Sequence, residues 1–330
     1  MRRELGSPRC RDIRIDNTAM RQAKYHILLN PNSGGAMRLG VTADRLHELF
    51  AGRGEAVSID ADSDRPFEQR LRIARNSNAE FLMAAGGDGT ATGLAQVAME
   101  TGRSLAVLPL GTANLLARDL AIPVTIEEWF AALDTMAPRR MDVGEVNGRI
   151  FLHKVVIGAV PGIAAAREHL RGRGDLAAKL GFLGHFVRRL SRIRRFAAEI
   201  ATSSGEPRIE RVQSIAIANN DYAEGLGKLF QRQRLDGGTL SLYLLRHLSV
   251  ADALRLAAEM ALGSWKNDDV LEIENVRAVV VRTRWLRIRA MIDGEIDTLA
   301  SPLRFRILPL ALSILAPPVS TDTDHPLEAT

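Results

Sequence analysis

Residues 81–92 read Phe81-Leu82-Met83-Ala84-Ala85-Gly86-Gly87-Asp88-Gly89-Thr90-Ala91-Thr92. An unbroken apolar run of strand length, stopped by glycines and followed by a helix-period segment, predicts a strand buried on both faces that feeds a helix. The same order recurs upstream, where Tyr25-His26-Ile27-Leu28-Leu29 runs into Asn30-Pro31-Asn32-Ser33-Gly34-Gly35. It recurs downstream, where Leu105-Ala106-Val107-Leu108-Pro109 runs into Leu110-Gly111-Thr112-Ala113-Asn114. A further strand is predicted at 56–59, and a helix opening at Pro66 that carries Phe67, Leu71, Ile73 and Ala74. Strands alternating with helices at this spacing make a parallel sheet with helices on both faces, so 25–138 is expected to be an α/β domain.

After Pro138 the pattern changes. Strands are predicted at 141–146 and 150–157, joined by the hairpin signal Asn147-Gly148. Others follow at 208–218, 240–245, 270–273, 278–283, 286–292 and 303–308, with one helix at 250–262 and a basic helical stretch from Ala164 to Arg195. This second domain is expected to be mostly antiparallel β. Residues 1–24 are read as a flexible extension and 318–330, polar and rich in Pro, Thr and Asp, as a disordered tail.

The 330 residues allow about two domains, and 46% hydrophobic with 25% charged residues is ordinary globular composition. A net charge of +5 favours anionic partners. Cys10 is the sole cysteine, which excludes an internal disulfide framework and a Cys-based zinc site. No run reaches the ~18 apolar residues of a membrane span; the longest, 307–316, is interrupted by Pro309. A cytoplasmic chain, peripheral to the inner face of a membrane, is the expectation.

In a parallel sheet the three glycine loops emerge at one carboxyl edge, where backbone N–H groups and helix N-termini meet phosphates. Neither G-x-x-x-x-G-K-[ST] nor G-x-G-x-x-G occurs in them, which disfavours a Walker A loop or an ordinary dinucleotide fold. Asp88 would repel phosphate unless a cation lies between them or it orients another group, so a Mg²⁺-dependent nucleotide role is expected.

The blocks Asn30–Gly35, Gly86–Thr90 and Leu108–Asn114, in this order and spacing, closely resemble the diacylglycerol kinase catalytic-domain family, which includes bacterial lipid kinases. The likeness continues through 151–158, Lys179-Leu180-Gly181-Phe182, Ile217-Ala218-Asn219-Asn220, Asp236-Gly237-Gly238 and Asp293-Gly294-Glu295. It implies a lipid-side β-sandwich at 139–303, with 304–317 returning to the first domain. It also implies ATP and Mg²⁺ as cofactors and a membrane lipid as acceptor. The nucleotide set would be Asn30, Asn32, Ser33, Gly34, Gly35, Gly86, Gly87, Asp88, Gly89, Thr90, Ala91, Thr92, Gly111, Thr112 and Asn114. By position Glu295 would accept the proton of the acceptor hydroxyl, with Asp293 as its acidic neighbour and Asp88 close to the metal. Read without the resemblance, Asp-Gly-Glu is a solvated hairpin turn.

Two departures stand out. A structural Mg²⁺ site that the resemblance implies on the second domain, with two adjacent aspartates, is here Asp236-Gly237, leaving Asp236 and main-chain carbonyls as ligands, and Gly93 stands where a polar side chain is usual. NAD kinase, which shares only the GGDGT block, and a regulator of weakened catalysis are the alternative readings. Basic residues crowd between Arg167 and Arg195 with apolar ones at helical spacing, which fits either an anionic membrane face or a solvated face packed on the β domain. Nucleic acid lacks a recognition motif here, and a second copy of the chain is allowed as a partner. His153, lone among apolar residues, is expected to be a satisfied histidine rather than a metal ligand.

Overall fold

The computed structural model describes residues 23–158, 194–223, 232, 234–247, 249, 251–252, 255, 259, 266 and 270–318. The first part runs β1 (Tyr25–Leu29), α1 (Gly34–Leu39), α2 (Ala43–Gly52), β2 (Val57–Asp60), α3 (Phe67–Asn76), β3 (Phe81–Gly86), α4 (Asp88–Thr101), β4 (Ser104–Pro109), α5 (Leu115–Asp119) and α6 (Ile126–Ala132). The second runs β5 (Ala137–Val146), β6 (Arg149–Phe151), β7 (Lys154–Gly158), β8 (Phe196–Thr202), β9 (Arg208–Val212), β10 (Ser214–Asn219), β11 (Leu240–Leu245), β12 (Leu271–Val276), β13 (Ala278–Thr283), β14 (Arg287–Ile292), β15 (Glu295–Ala300) and β16 (Leu303–Ala316).

β2, β1, β3 and β4 lie side by side and parallel. From β1 the chain crosses to one side and from β3 to the other, so β1 and β3 flank the switch point of the sheet, where a crevice opens beyond their carboxyl ends. The glycine loops after β1 and β3 stand there. β1 and β3 are buried along almost their whole length, because helices lie on both faces and every side chain must be apolar or small.

The sheet does not stop at β4. Its order continues through β16 to β13, β8 and β9, giving ten strands with β5 and β6 branching from β16. β16 pairs antiparallel with β13 at Leu303 to Arg306, then with β5, and meets β4 in parallel at Ile314. A second sheet, β12-β11-β10-β7-β14-β15, packs over this distal half. Alternate residues of the two inner faces, among them Val155, Ile217, Leu242 and Ala290 against Ile200, Val279 and Phe305, form its core. The result is an α/β N-terminal domain and an antiparallel β-sandwich.

Several sequence expectations are corrected here. The strand expected at 150–157 breaks at Leu152–His153, because the backbone N–H groups of residues 152–154 turn to the Asp293 carboxylate. The run 208–218 breaks at Gln213, where the chain passes from the ten-stranded to the six-stranded sheet. β8 and β15 lie where no strand was expected. β16 extends from Leu303 through Pro309 to Ala316, its register shifting between Leu308 and Leu312 at a bulge that absorbs the proline. The extension 1–22, the tail 319–330, the helix expected at 250–262 apart from scattered residues, and the basic stretch between Arg167 and Arg195 apart from its last two arginines lie outside the described residues.

Candidate active site

Backbone contacts knit the three glycine loops into one floor. Asn30 N donates to Ala85 O at 2.8 Å, Gly35 N to Leu110 O at 2.8 Å, and Leu110 N to Gly86 O at 2.9 Å. Gly87 and Gly111 touch through their backbones: a Cβ on Gly111 would stand 2.5 Å from Gly87 Cα, so a side chain there would force the loops apart. A Cβ on Gly35 would meet Leu110 O at 2.4 Å. Gly87 caps α4 without a side-chain hydrogen bond, which leaves first-turn N–H groups of a 14-residue helix open to an anion.

The polar residues of these loops divide by role. Asn30 Oδ1 accepts from Asn32 N, and Ser33 caps α1 through Ala36 N. Asn114, in the left-handed region at φ 47, donates from Nδ2 to Gly111 O and Pro109 O. These three side chains shape the loops. Thr90 is buried under Gly86, whereas Asn32, Gly34 and Thr112 are exposed at the rim, Thr112 Oγ1 lying 3.7 Å from where a Cβ of Gly34 would be.

Asp88 opens α4 and reaches across to α5, where its Oδ1 accepts from Leu115 N at 2.9 Å. Burial raises its carboxyl above the usual range, the α5 N–H groups oppose that, and the Asp293 charge adds to it. Asp88 therefore orients the third loop. It also lines a narrow crevice of about 10 Å³, room for roughly one water, with Ala91, Thr92, Leu116, His153 and Asp293.

Asp293 and Gly294, both at positive φ, form the two-residue hairpin between β14 and β15, in which Ile292 faces Glu295. Asp293 Oδ1 accepts from His153 N and Lys154 N at 2.9 Å each, and its Oδ2 from Leu152 N at 2.7 Å and Thr92 Oγ1 at 3.2 Å. With four donors on two oxygens it is a clamp between α4 and the β-sandwich. Glu295 is exposed, one step beyond the turn, and a Cβ on Gly89 would stand 2.4 Å from its Oε1. The only carboxylate raised over the glycine floor by this turn is thus that of Glu295, and the absent side chain of Gly89 makes room for it.

Asp236 lies in the second domain, between β10 and β11. Its carboxylate is half exposed and accepts from Arg234 Nε at 2.8 Å, and Gly237 N donates to Asn220 Oδ1. Among the described residues no group of three or more His, Cys, Asp or Glu could hold a metal. Gly93 has a packing reason: the Phe67 ring of α3 lies on it, 2.5 Å from where a Cβ would be.

Behind the crevice lies a buried polar network that sequence reading did not find. Arg232, its side chain fully buried, donates from Nε to Asp119 Oδ2 at 2.8 Å and from Nη1 to Leu152 O at 2.6 Å. His153 is buried, with Nδ1 3.1 Å from Tyr222 Oη and Nε2 3.8 Å from Asp119. Asp119 follows Asn114 by five residues, but its partner lies 113 positions away and leaves no local signal.

The sequence and the fold are shared with known proteins. A diacylglycerol kinase catalytic domain model matches residues 24–146, and a YegS C-terminal NAD kinase beta sandwich-like domain model matches 161–316. A "Probable lipid kinase YegS-like" of Pseudomonas aeruginosa is 30% identical over 320 residues, covering 90% of this chain and 96% of that one. The chain belongs to the diacylglycerol kinase catalytic-domain family of YegS-like lipid kinases. Another such relative, from Chromohalobacter salexigens, is 27% identical over 311 residues, covering 91% and 95% of the two chains. The crystal structure of a diacylglycerol kinase from Bacillus anthracis superposes with a TM-score of 0.62 at 18% identity, covering 89% of this chain and 97% of that one. As a member of this kinase family the chain is a phosphotransferase that uses a nucleotide. Among the described residues no helix is long and apolar enough to cross a membrane.

Proposed function

We propose that the chain transfers the γ-phosphate of MgATP to a hydroxyl of a membrane lipid at the inner face of the membrane. The observation that carries this reading is the Glu295 carboxylate poised on Gly89, at the N-terminus of α4 in the glycine floor. The floor suits a polyphosphate: its backbones approach too closely for side chains, and the first turn of α4 offers unpaired donors. Asp88, at the head of α4, would hold Mg²⁺ near the phosphates. When bound, the ion neutralises charge developing on the transferred group.

Glu295 orients the lipid hydroxyl and takes its proton as the oxygen bonds to the γ-phosphorus; the bond from that phosphorus to the β,γ-bridging oxygen breaks and ADP leaves. Asp293 keeps Glu295 in place by tying its turn to Thr92 and to residues 152–154.

The test is transfer of label from γ-labelled ATP to a panel of lipids in mixed micelles. Glu295→Gln is expected to lower the rate at least about 10²-fold while nucleotide affinity, read by equilibrium binding, stays within a few-fold. A fully active Glu295→Gln enzyme overturns the assignment. Transfer to NAD with every lipid inert would redirect it to the NAD kinase reading, and nucleotide binding with no transfer to any acceptor would redirect it to a regulator.

A further inference from the structure

At the distal end of the ten-stranded sheet, where β13, β8 and β9 stand side by side, the outer face is bare among the described residues. Ala198 and Ile200 of β8 point into the core, so their neighbours Ala197 and Glu199 point out, beside Arg211 and Ile209 of β9 and Arg282 of β13. A groove of about 660 Å³ runs over this face, lined by five arginines, Arg194, Arg195, Arg211, Arg282 and Arg284, against a single carboxylate, Glu199. Glu199 is already taken by Arg282 at 2.9 Å. Among the described residues no carboxylate pairs with the other four.

Beside these charges stand apolar side chains that the fold leaves in water. Leu286 is 85% exposed, Ile209 75% and Trp285 39%. Trp285 packs on Phe196 at 5.4 Å between ring centroids, and the Arg284 guanidinium lies 5.4 Å over its ring, which holds the indole at the surface. Arginines without counter-charges call for an anionic partner. A phosphate polymer would leave Leu286, Ile209 and Trp285 unburied, whereas a bilayer accepts both, headgroups at the guanidinium groups and the apolar side chains at the headgroup–acyl boundary. Tryptophan is enriched at that depth.

We propose that this arginine- and tryptophan-bearing end of the sandwich is the surface with which the chain docks on an anionic phospholipid bilayer. The proposal rests on the lipid-kinase reading for its purpose but concerns a separate surface. β14 carries the chain from Leu286 to the Glu295 turn, a run of roughly 20 Å, so docking and chemistry can be read apart.

Sedimentation with phosphatidylcholine vesicles, with and without phosphatidylglycerol, tests it in the absence of nucleotide. The full chain is expected to bind the anionic vesicles, weakly at high salt, and not the neutral ones. Arg211→Glu with Arg284→Glu is expected to lower partition more than about tenfold, and Trp285→Ala with Leu286→Ser about tenfold. Lipids brominated in the acyl chain are expected to quench a fluorescence component that Trp285→Phe removes. Label transfer to a short-chain acceptor dispersed in water is expected to be unchanged in all these variants. Variants that bind vesicles like the parent, a Trp285 that bromolipid does not quench, vesicles displaced by a DNA duplex, or joint loss of vesicle binding and transfer to the dispersed acceptor would each overturn the docking proposal. Intact vesicle binding by a chain inactive on every lipid supports docking and overturns the kinase reading instead.

Discussion

Asp88 carries the tension of the site at the scale of one residue. Its carboxylate is buried at the head of α4, and desolvation raises its pKa. A carboxyl whose folded pKa exceeds its unfolded one leaves stability intact below the unfolded value and takes it away as pH rises through the folded value. Asp88→Asn is therefore expected to unfold at a higher temperature than the parent at pH 7, with the difference vanishing as pH falls below the ordinary value of 3.8. The same change is expected to weaken phosphoryl transfer, which would mark Asp88 as a position where stability is given up for function. Thermal melts across pH, paired with the transfer assay, check both. In the sequence Asp88 was visible as an oddity among glycines, but its hydrogen bond to Leu115 was not, because the acceptor and donor stand on different loops.

At the scale of the element, the β14–β15 hairpin shows how a turn becomes a joint. Asp293-Gly294 is a two-residue turn signal of ordinary kind, and nothing local distinguishes it from a solvated hairpin. Its role comes from the donors that surround it. Asp293→Ala removes the acceptor for three backbone N–H groups and Thr92 Oγ1. It is expected to cost on the order of 3 kcal/mol, against about 1 kcal/mol for Thr92→Val, in urea titrations. On α4, Gly93→Ala combines two opposed effects: helix propensity favours alanine by about 1 kcal/mol, and the new Cβ meets Phe67. The substitution is expected to be near neutral alone and stabilising by about 1 kcal/mol in a Phe67→Ala background, read as the shift in the urea midpoint.

The whole molecule is held by features that cross the two domains. β16 belongs to both halves of the ten-stranded sheet, and Asp119 of the first domain meets Arg232 of the second in a nearly dry setting. Coincident urea transitions in far-UV circular dichroism and tryptophan fluorescence are expected. Arg232→Met leaves a buried carboxylate without its partner and is expected to cost about 3–5 kcal/mol. Adding Asp119→Leu should recover much of that. By itself, the sequence determined the features set by neighbours along the chain: the α/β alternation, the three glycine loops, the Asp-Gly turn and, through their order, the family. Apolar periodicity and turn chemistry act over a few residues, so they can be read there. Only the tertiary structure decided that Asp293 is a clamp, that Phe67 occupies the space left by Gly93, and that one sheet runs through both domains. These depend on contacts between residues dozens to hundreds of positions apart, whose partners are chosen by packing and by the need of buried polar groups for hydrogen bonds.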